Sequence, residues 1–177
     1  MALGATMRRF EISLSDVDRG VYEALDLRAA QHPSESDRYL VARVLARALE
    51  HAEGVDFTKG LDADDEPALW QRDLRGDLVA WIEVGSPSSD RLHRANKKCK
   101  RVVVYAWKTP EALAAQLVTD KVFKVETIEI RAIDPAFLDE LVATLDRQNA
   151  WELSITDGAI YLGVKGLTLE TTIPRVA

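Results

Sequence analysis

The stretch from Asp64 to Trp107 constrains the fold of this chain most strongly. Within it, residues 77–84 (DLVAWIEV) are apolar on both faces of a strand except at the first residue and at Glu83. A strand that is buried on both faces occupies a central position in its sheet. The following residues predict a helix over 88–101 and another buried strand over 101–107 (RVVVYAW). The pattern therefore indicates an α/β fold with a mixed sheet of the α+β kind.

The N-terminal part adds a hairpin, a helix and two short strands. Residues 7–15 and 21–29 each alternate apolar and polar side chains around a polar turn, which predicts a long β-hairpin. The segment HPSESD predicts a helix with Ser34 as its N-terminal cap. Residues 55–67 predict an acidic loop or short strand, and residues 68–72 predict a short strand before the turn RDLRG. From Ser34 onward, the predicted order is αβββαβ.

The C-terminal part predicts two more helices and a β-meander. The helices start with proline at their first position, one over 110–118 and one after Asp134, and a strand over 122–132 lies between them. An Asp-Gly pair at 157–158 separates two alternating runs, which indicates a type I′ hairpin, and LTLETTI adds a last strand. Neither a repeat nor a linker divides the sequence, so we expect a single domain over residues 1–177.

Composition restricts the classes of function. The 177 residues suit one sizeable core, and 47% hydrophobic with 29% charged residues is the profile of a globular protein. The net charge of −6 argues against non-specific coating of nucleic acid but leaves room for a local basic groove. A single cysteine, Cys99, excludes an intramolecular disulfide and a thiolate metal site. Together with the lack of an apolar run long enough for a membrane span or a signal peptide, this predicts a cytoplasmic protein with no membrane partner. We expect a monomer, because the sequence carries no interface signature.

Glu83 is the foremost candidate for a functional carboxylate. It interrupts an otherwise apolar strand, and a buried charge is costly unless it is paired or bound to a cation. Two readings stay open: Glu83 holds a metal ion, or it forms an ion pair with Arg91 or Arg94 on the following helix.

The hairpin geometry suggests a partner for Glu83. If the turn centres on Leu74, Asp65 lies opposite Glu83, and directly opposed residues are roughly 4.5–5.5 Å apart. Two carboxylates at that distance can share Mg²⁺. Asp77 lies six residues before Glu83 on the same strand, about 20 Å away, which is too far to share a metal unless a bulge breaks the strand. A register error of two residues substitutes another acid for Asp65.

The predicted helix over 88–101 carries cations without an intervening acid: Arg91, Arg94, Lys97, Lys98, Lys100 and Arg101. At helical spacing, four of them (Arg91, Arg94, Lys98 and Arg101) are predicted to share one exposed face. In an acidic protein such a face is typical of a phosphate-binding patch. The alternatives are a solvated face or one that balances the acidic loop. Motifs of other enzyme classes, such as HExxH or a glycine-rich phosphate loop, are absent from the sequence.

Five segments closely resemble the YaeQ family of small bacterial proteins: HPSES at 32–36, FTKGL at 57–61, DDEPALW at 64–70, GDLVAWIEVGSP at 76–87 and VVVYAW at 102–107. The similar segments are spread over residues 1–165. The fold of that family is similar to the PD-(D/E)XK, or restriction-endonuclease-like, superfamily, whose core is αβββαβ. The residues themselves predict the same order of elements.

The resemblance implies roles for particular residues. Glu83 takes the acidic place of the (D/E)xK motif, and the lysine place falls on Gly85. Arg94 or Lys98 on the following helix then takes the role of that lysine. The family often has Asp after DEP, and here Ala68 stands there, so the second metal carboxylate is Asp65, Glu66 or Asp77. Glu35 matches the catalytic glutamate of the first helix.

Two functions follow from the resemblance. The first is a Mg²⁺- or Mn²⁺-dependent nuclease that hydrolyses DNA or RNA. The second is an inactive module on the same fold that binds nucleic acid or a protein, which the departures at Gly85 and Ala68 favour. In either case the nucleic-acid-binding residues are those of the cationic helix.

Overall fold

A computed structural model describes residues 4–58 and 66–177 of the chain. Within those residues it is an α/β protein with two mixed five-stranded sheets and four helices. Packing divides the chain into two compact units. The first unit comprises residues 1–44 and 134–173, and the second comprises residues 45–133 and 174–177. The single-domain organisation stays a prediction.

The strands are β1 (Thr6–Asp16), β2 (Val21–Gln31), β3 (Val55–Phe57), β4 (Leu69–Arg72), β5 (Leu78–Val84), β6 (Arg101–Ala106), β7 (Ile128–Ala132), β8 (Gln148–Thr156), β9 (Ala159–Val164) and β10 (Leu167–Thr172). The helices are α1 (Asp37–Leu49), α2 (Ser89–Lys98), α3 (Pro110–Thr119) and α4 (Pro135–Val142). The predicted order αβββαβ is confirmed by α1, β3, β4, β5, α2 and β6. No helix in the described part of the chain is both long and apolar enough to cross a membrane.

The first unit contains the sheet β10-β9-β8-β1-β2, in which only the β1–β8 pair is parallel. The predicted N-terminal hairpin is confirmed, with Ile12 opposite Leu25. The predicted turn at Asp157 and Gly158 is also confirmed, because both have positive φ (52° and 77°) as a type I′ turn requires. Phe10 and Trp151 pack edge to face in the core of this unit, with ring centroids 5.1 Å apart.

Helix α1 starts later than the sequence predicts. The hydroxyl oxygen of Ser36 accepts a hydrogen bond from the backbone N–H of Tyr39 (3.1 Å), so Ser36 takes the capping role. The prediction that Ser34 caps this helix was wrong, because its hydroxyl is held by the ring Nδ1 of His32 at 2.7 Å. Glu35 consequently precedes α1, whereas the resemblance places this glutamate on the first helix.

The second unit contains the sheet β3-β4-β5-β6-β7, and β5 is its central strand as predicted. Strands β3, β4 and β5 are antiparallel neighbours, whereas β5, β6 and β7 are parallel. Apolar residues of β6 and β7 are buried against α2 and α3, and they include Val102, Val104, Ile128 and Ile130 with Leu92 and Leu117. This packing fixes α2 on one face of the sheet.

Two predicted boundaries in this unit were wrong. The helix predicted over 88–101 ends at Lys98, because the backbone is already extended at Cys99 (φ −140°, ψ 143°). Arg101 is therefore the first residue of β6 and does not extend the helix. The strand predicted over 122–132 begins only at Ile128, because residues 125–127 form a 3-10 turn.

Candidate functional site around Glu83 and helix α2

Glu83 lies near the end of the central strand β5 and is buried, with 3% of its surface exposed. One carboxylate oxygen, Oε1, accepts two hydrogen bonds, from Nε1 of Trp81 at 2.8 Å and from Nε of Arg91 at 2.6 Å. The other oxygen, Oε2, accepts none from the residues that the structure describes. The predicted alternative, an ion pair between Glu83 and Arg91, is confirmed.

Burial controls the protonation of this carboxyl group. Removal from water raises the pKa of Glu83, and the charge of Arg91 together with the bonds from Trp81 and Arg91 lowers it. Desolvation is the larger influence, so the pKa lies above its ordinary value. Arg91 is thus the cation that keeps an unfavourably buried charge in place.

Helix α2 positions Arg91. The hydroxyl oxygen of Ser88 accepts the backbone N–H of Arg91 (3.2 Å) and so caps the helix. Leu92 and Ala95 are buried on the face that packs on the sheet. Arg91 also donates through an Nη atom to the backbone carbonyl oxygen of Glu66. The arginine therefore lies between the backbone of Glu66 and the carboxylate of Glu83.

The predicted register between β4 and β5 was wrong. Leu69 pairs with Ile82, so one further step of the ladder places Ala68, not Asp65, opposite Glu83. Arg72 pairs with Leu78, so the turn centres on Arg75 instead of Leu74, and the pairing shifts by one more residue at a bulge between Gln71 and Arg72. Asp65 itself lies outside the described residues.

Asp77 belongs to the turn before β5. Its backbone N–H donates to a carboxylate oxygen of Asp73 at 2.9 Å, and its carbonyl oxygen accepts the N–H of the same residue. These bonds close the β4–β5 turn. They give the backbone of Asp77 a structural role at the end of β5 opposite to Glu83.

The described residues do not by themselves form a metal site. Among them, no group of three or more His, Cys, Asp or Glu side chains is placed to hold a metal ion. Glu83 supplies one carboxylate, and Arg91 already occupies one of its oxygens. We therefore assign no hydrolytic step to a metal here. Asp65, which was predicted as a second metal ligand, lies outside the described part of the chain.

The cations of the predicted basic face divide into two groups. Arg91 and Arg101 are partly buried and paired with carboxylates, so the prediction that they belong to one exposed face was wrong. Arg94 is exposed and pairs with Asp90 on the same helix at 3.3 Å. Lys97, Lys98 and Lys100 are exposed as well. We call Arg94, Lys97, Lys98 and Lys100 the α2 cationic surface.

Lys98 is a residue of the α2 cationic surface that lies near Trp81, a hydrogen-bond donor to Glu83. Its ammonium nitrogen lies 5.9 Å from the ring centroid of Trp81, the residue that donates to Glu83. The distance is within the range of a cation–π contact. One face of Trp81 thus meets a surface cation while its indole N–H satisfies the buried acid.

A second ion cluster in this unit was not predicted. Glu50 accepts hydrogen bonds from the Arg101 guanidinium (2.6 and 3.2 Å) and from the Tyr105 hydroxyl (2.6 Å), and Arg101 also contacts Glu129 at 3.3 Å. Although burial opposes it, this bonding lowers the pKa of Glu50. Burial and the neighbouring carboxylate raise the pKa of Tyr105 well above its ordinary value. The partners are some fifty residues apart in sequence, so no local pattern joins them.

Glu35 lies in the first unit as part of a buried ion pair with Arg43, Oε2 to Nη2 at 3.0 Å. The same arginine nitrogen donates to the carbonyl oxygen of Ala30. Burial raises the pKa of Glu35 and the charge of Arg43 lowers it, with a net rise. In the sequence, apolar residues flank Arg43 on both sides (LVARVLA, residues 40–46), which is the only local sign of a buried cation.

Taken together, the described residues form an α/β protein of two mixed five-stranded sheets in which carboxylates are buried against arginines. The chain belongs to the YaeQ family, since the model of that family, described as YaeQ protein, matches residues 1–173.

Relatives and solved structures agree with this assignment. The Uncharacterized protein YaeQ of Escherichia coli (strain K12) is 30% identical over 174 residues, which cover 98% of this chain and 96% of the relative. That of Salmonella typhi is 31% identical over 163 residues, which cover 92% and 90%. The crystal structure of YaeQ protein from Pseudomonas syringae has a TM-score of 0.91 at 29% identity, over 98% of this chain and 96% of that one. The structure of YaeQ protein from Xanthomonas axonopodis pv. citri has a TM-score of 0.88 at 32% identity, over 97% and 98%.

Proposed function

We propose that this chain binds nucleic acid through the α2 cationic surface, on a framework of the restriction-endonuclease-like kind. The observation that carries the proposal is the local excess of positive charge in a protein of net charge −6. Four exposed cations lie within and just beyond the last turns of one helix, and only Arg94 has an acidic partner on that helix, the exposed Asp90. A concentrated basic surface is what phosphate backbones require.

The ion pair between Glu83 and Arg91 supports a binding role over hydrolysis. In the superfamily that the sequence resembles, the acid of the (D/E)xK motif holds a metal ion. Here a guanidinium occupies an oxygen of that acid. The lysine of the motif falls on Gly85, whose φ of 90° is a conformation that a lysine rarely adopts. Both features favour a framework that has kept the acid without the remaining catalytic groups.

Metal-dependent phosphodiester hydrolysis is the second candidate. It is favoured by Oε2 of Glu83, which neither Trp81 nor Arg91 uses in its hydrogen bond to that carboxylate, and by the closeness of the Glu66 backbone to Arg91. In that case Glu83 and either Asp65 or Glu66 hold Mg²⁺ or Mn²⁺, and Arg94 or Lys98 takes the role of the motif's lysine.

Fluorescence anisotropy with labelled 30-nucleotide single-stranded DNA, duplex DNA and RNA tests the first proposal. We expect the wild type to bind at low salt and the variant Arg94→Ala/Lys98→Ala to bind more weakly. The matched control is Arg28→Ala/Arg147→Ala, which removes two exposed cations from the first unit. Equal loss of affinity in both variants, or no binding by the wild type, would contradict the proposal.

The same oligonucleotides separate the second candidate from the first. The wild type and Glu83→Gln are incubated with them in Mn²⁺ or Mg²⁺, and the products are resolved by denaturing electrophoresis. Cleavage by the wild type that disappears in a folded Glu83→Gln protein would favour the nuclease. Binding without cleavage in either protein would favour the binding module.

A further inference from the structure

An exposed aromatic ring lies beside α2 in the second unit. Phe123 is 38% exposed, although it follows the buried Val122. Two ammonium groups lie near its ring, Lys97 at 5.9 Å and Lys124 at 5.4 Å from the centroid. The ring of His93 meets it edge to face, with centroids 6.4 Å apart and planes at 78°. We call His93, Lys97, Phe123 and Lys124 the Phe123 platform.

Side chains of helix α2 hold the backbone of Phe123 and Lys124 in position. The N–H of Phe123 donates to Nδ1 of His93 at 2.9 Å. The side-chain amide of Asn96, which is buried, donates to the carbonyl oxygens of Phe123 (2.6 Å) and Lys124 (3.0 Å). These hydrogen bonds with His93 and Asn96 of α2 therefore fix the backbone conformation at Phe123 and Lys124.

The backbone on both sides of Phe123 is strained. Lys121 and Lys124 have φ angles of 54° and 47°, in the left-handed region that residues with a Cβ rarely enter. Such a conformation is unfavourable for a residue with a Cβ and persists where the surroundings impose it. Residues 121–124 thus keep an unfavourable backbone conformation, and Phe123, whose ring is exposed, lies between Lys121 and Lys124 in the sequence.

We propose that the Phe123 platform stacks a base of a single-stranded nucleic acid, and that the ammonium groups of Lys97 and Lys124, which lie over the ring in the free protein, move from it to the phosphates of that strand. This inference rests on the proposed function, because Lys97 belongs to the α2 cationic surface as well. Single strands present unpaired base faces, and aromatic rings set among cations are the usual platforms for them. In a duplex the base faces are already stacked on one another. A protein partner would use the exposed ring without needing the two flanking ammonium groups.

The test replaces the ring while keeping its apolar character. Phe123→Leu is compared with the wild type for anisotropy binding of a single-stranded 30-mer and a duplex of the same length. Loss of a stacked base weakens single-strand binding by roughly 5- to 100-fold, and the affinity for the duplex stays unchanged. Tyr161→Leu, which alters a similarly exposed aromatic (39%) in the first unit, is the matched control and leaves both affinities unchanged.

A spectroscopic arm reports stacking directly. With 2-aminopurine in the single strand, the wild type changes the fluorescence of the probe on binding, and Phe123→Leu abolishes that change at saturating protein. Circular dichroism and thermal melting show whether Phe123→Leu is folded. The conservative variant Phe123→Tyr keeps an aromatic face and is expected to bind the single strand as the wild type does.

The outcomes separate this inference from the proposed function. If the wild type binds and Phe123→Leu binds the single strand equally well, the platform is refuted and the α2 cationic surface still stands. If the wild type binds no nucleic acid at all, both proposals fail.

Discussion

The ion pair between Glu83 and Arg91 predicts a destabilisation whose size depends on pH. The perturbation is Arg91→Met, which keeps the apolar stem and removes the guanidinium. Removing one partner of a buried pair costs up to about 3–5 kcal/mol. Here the Arg91 side chain is 24% exposed and Glu83 keeps the bond from Trp81 at 2.8 Å, so we expect about 2–3 kcal/mol. For a chain of this length that lowers Tm by roughly 4–12 °C.

The sign of the pH dependence follows from the raised pKa of Glu83. A carboxyl group whose pKa is higher in the folded than in the unfolded state contributes stability that is full below its unfolded pKa. That contribution is lost as pH rises through the folded pKa. In Arg91→Met the pKa of Glu83 rises further above its ordinary value of 4.5, because the nearby positive charge is gone. The penalty is therefore smallest near pH 4.5 and grows towards pH 8.

Thermal melts of four proteins measure this coupling: the wild type, Arg91→Met, Glu83→Gln and the double variant. The double variant should be more stable at pH 8 than the two single penalties predict when added, because the glutamine leaves no buried charge to pair. Additive penalties, or a penalty for Arg91→Met that is the same at pH 4.5 and pH 8, would refute the reasoning.

Three further changes test the other buried groups. Glu50→Gln should lower the free energy of unfolding at pH 7 by about 1–2 kcal/mol, and the difference from the wild type should vanish as pH falls through the lowered pKa of Glu50 in a pH series of melts. Arg43→Met should destabilise by about 3–5 kcal/mol, since it leaves the buried Glu35 without its cation, and adding Glu35→Gln should recover part of that loss in urea unfolding. Gly85→Lys, which places the lysine of the nuclease motif at its usual position, should cost about 1–2 kcal/mol in urea unfolding from the positive φ alone, and a variant as stable as the wild type would contradict this.

Local patterns predicted most of the architecture. The long hairpin, the central strand β5 and the turn at Asp157 and Gly158 each depend on residues that are neighbours in sequence. Alternation, continuous apolar runs and turn chemistry report such features directly. The order of elements follows from the same signals.

Pairings across the chain were predicted less well. The register of β4 with β5 was wrong by three residues: the turn centres on Arg75 instead of Leu74, which shifts each pair by two, and the bulge between Gln71 and Arg72 adds one more. The prediction that Arg101 is exposed was wrong because its partner Glu50 is distant in sequence. The ion pair of Glu83 was predictable, because a lone acid in an apolar strand requires a cation.

The Phe123 platform had no signal in the sequence. A single phenylalanine between lysines is ordinary in a surface loop. Its significance comes from tertiary contacts with His93, Asn96 and Lys97 on a helix some thirty residues earlier.

The salt dependence of binding tests the central claim most directly. The slope of log K against log [NaCl] is measured with a single-stranded 30-mer for the wild type and for Arg94→Ala/Lys98→Ala. If both cations contact phosphates, the slope becomes less negative by about 1.4 in the variant, because fewer counterions are released. A slope that is the same in the two proteins would contradict the account, since it would mean that the α2 cationic surface does not meet the nucleic acid.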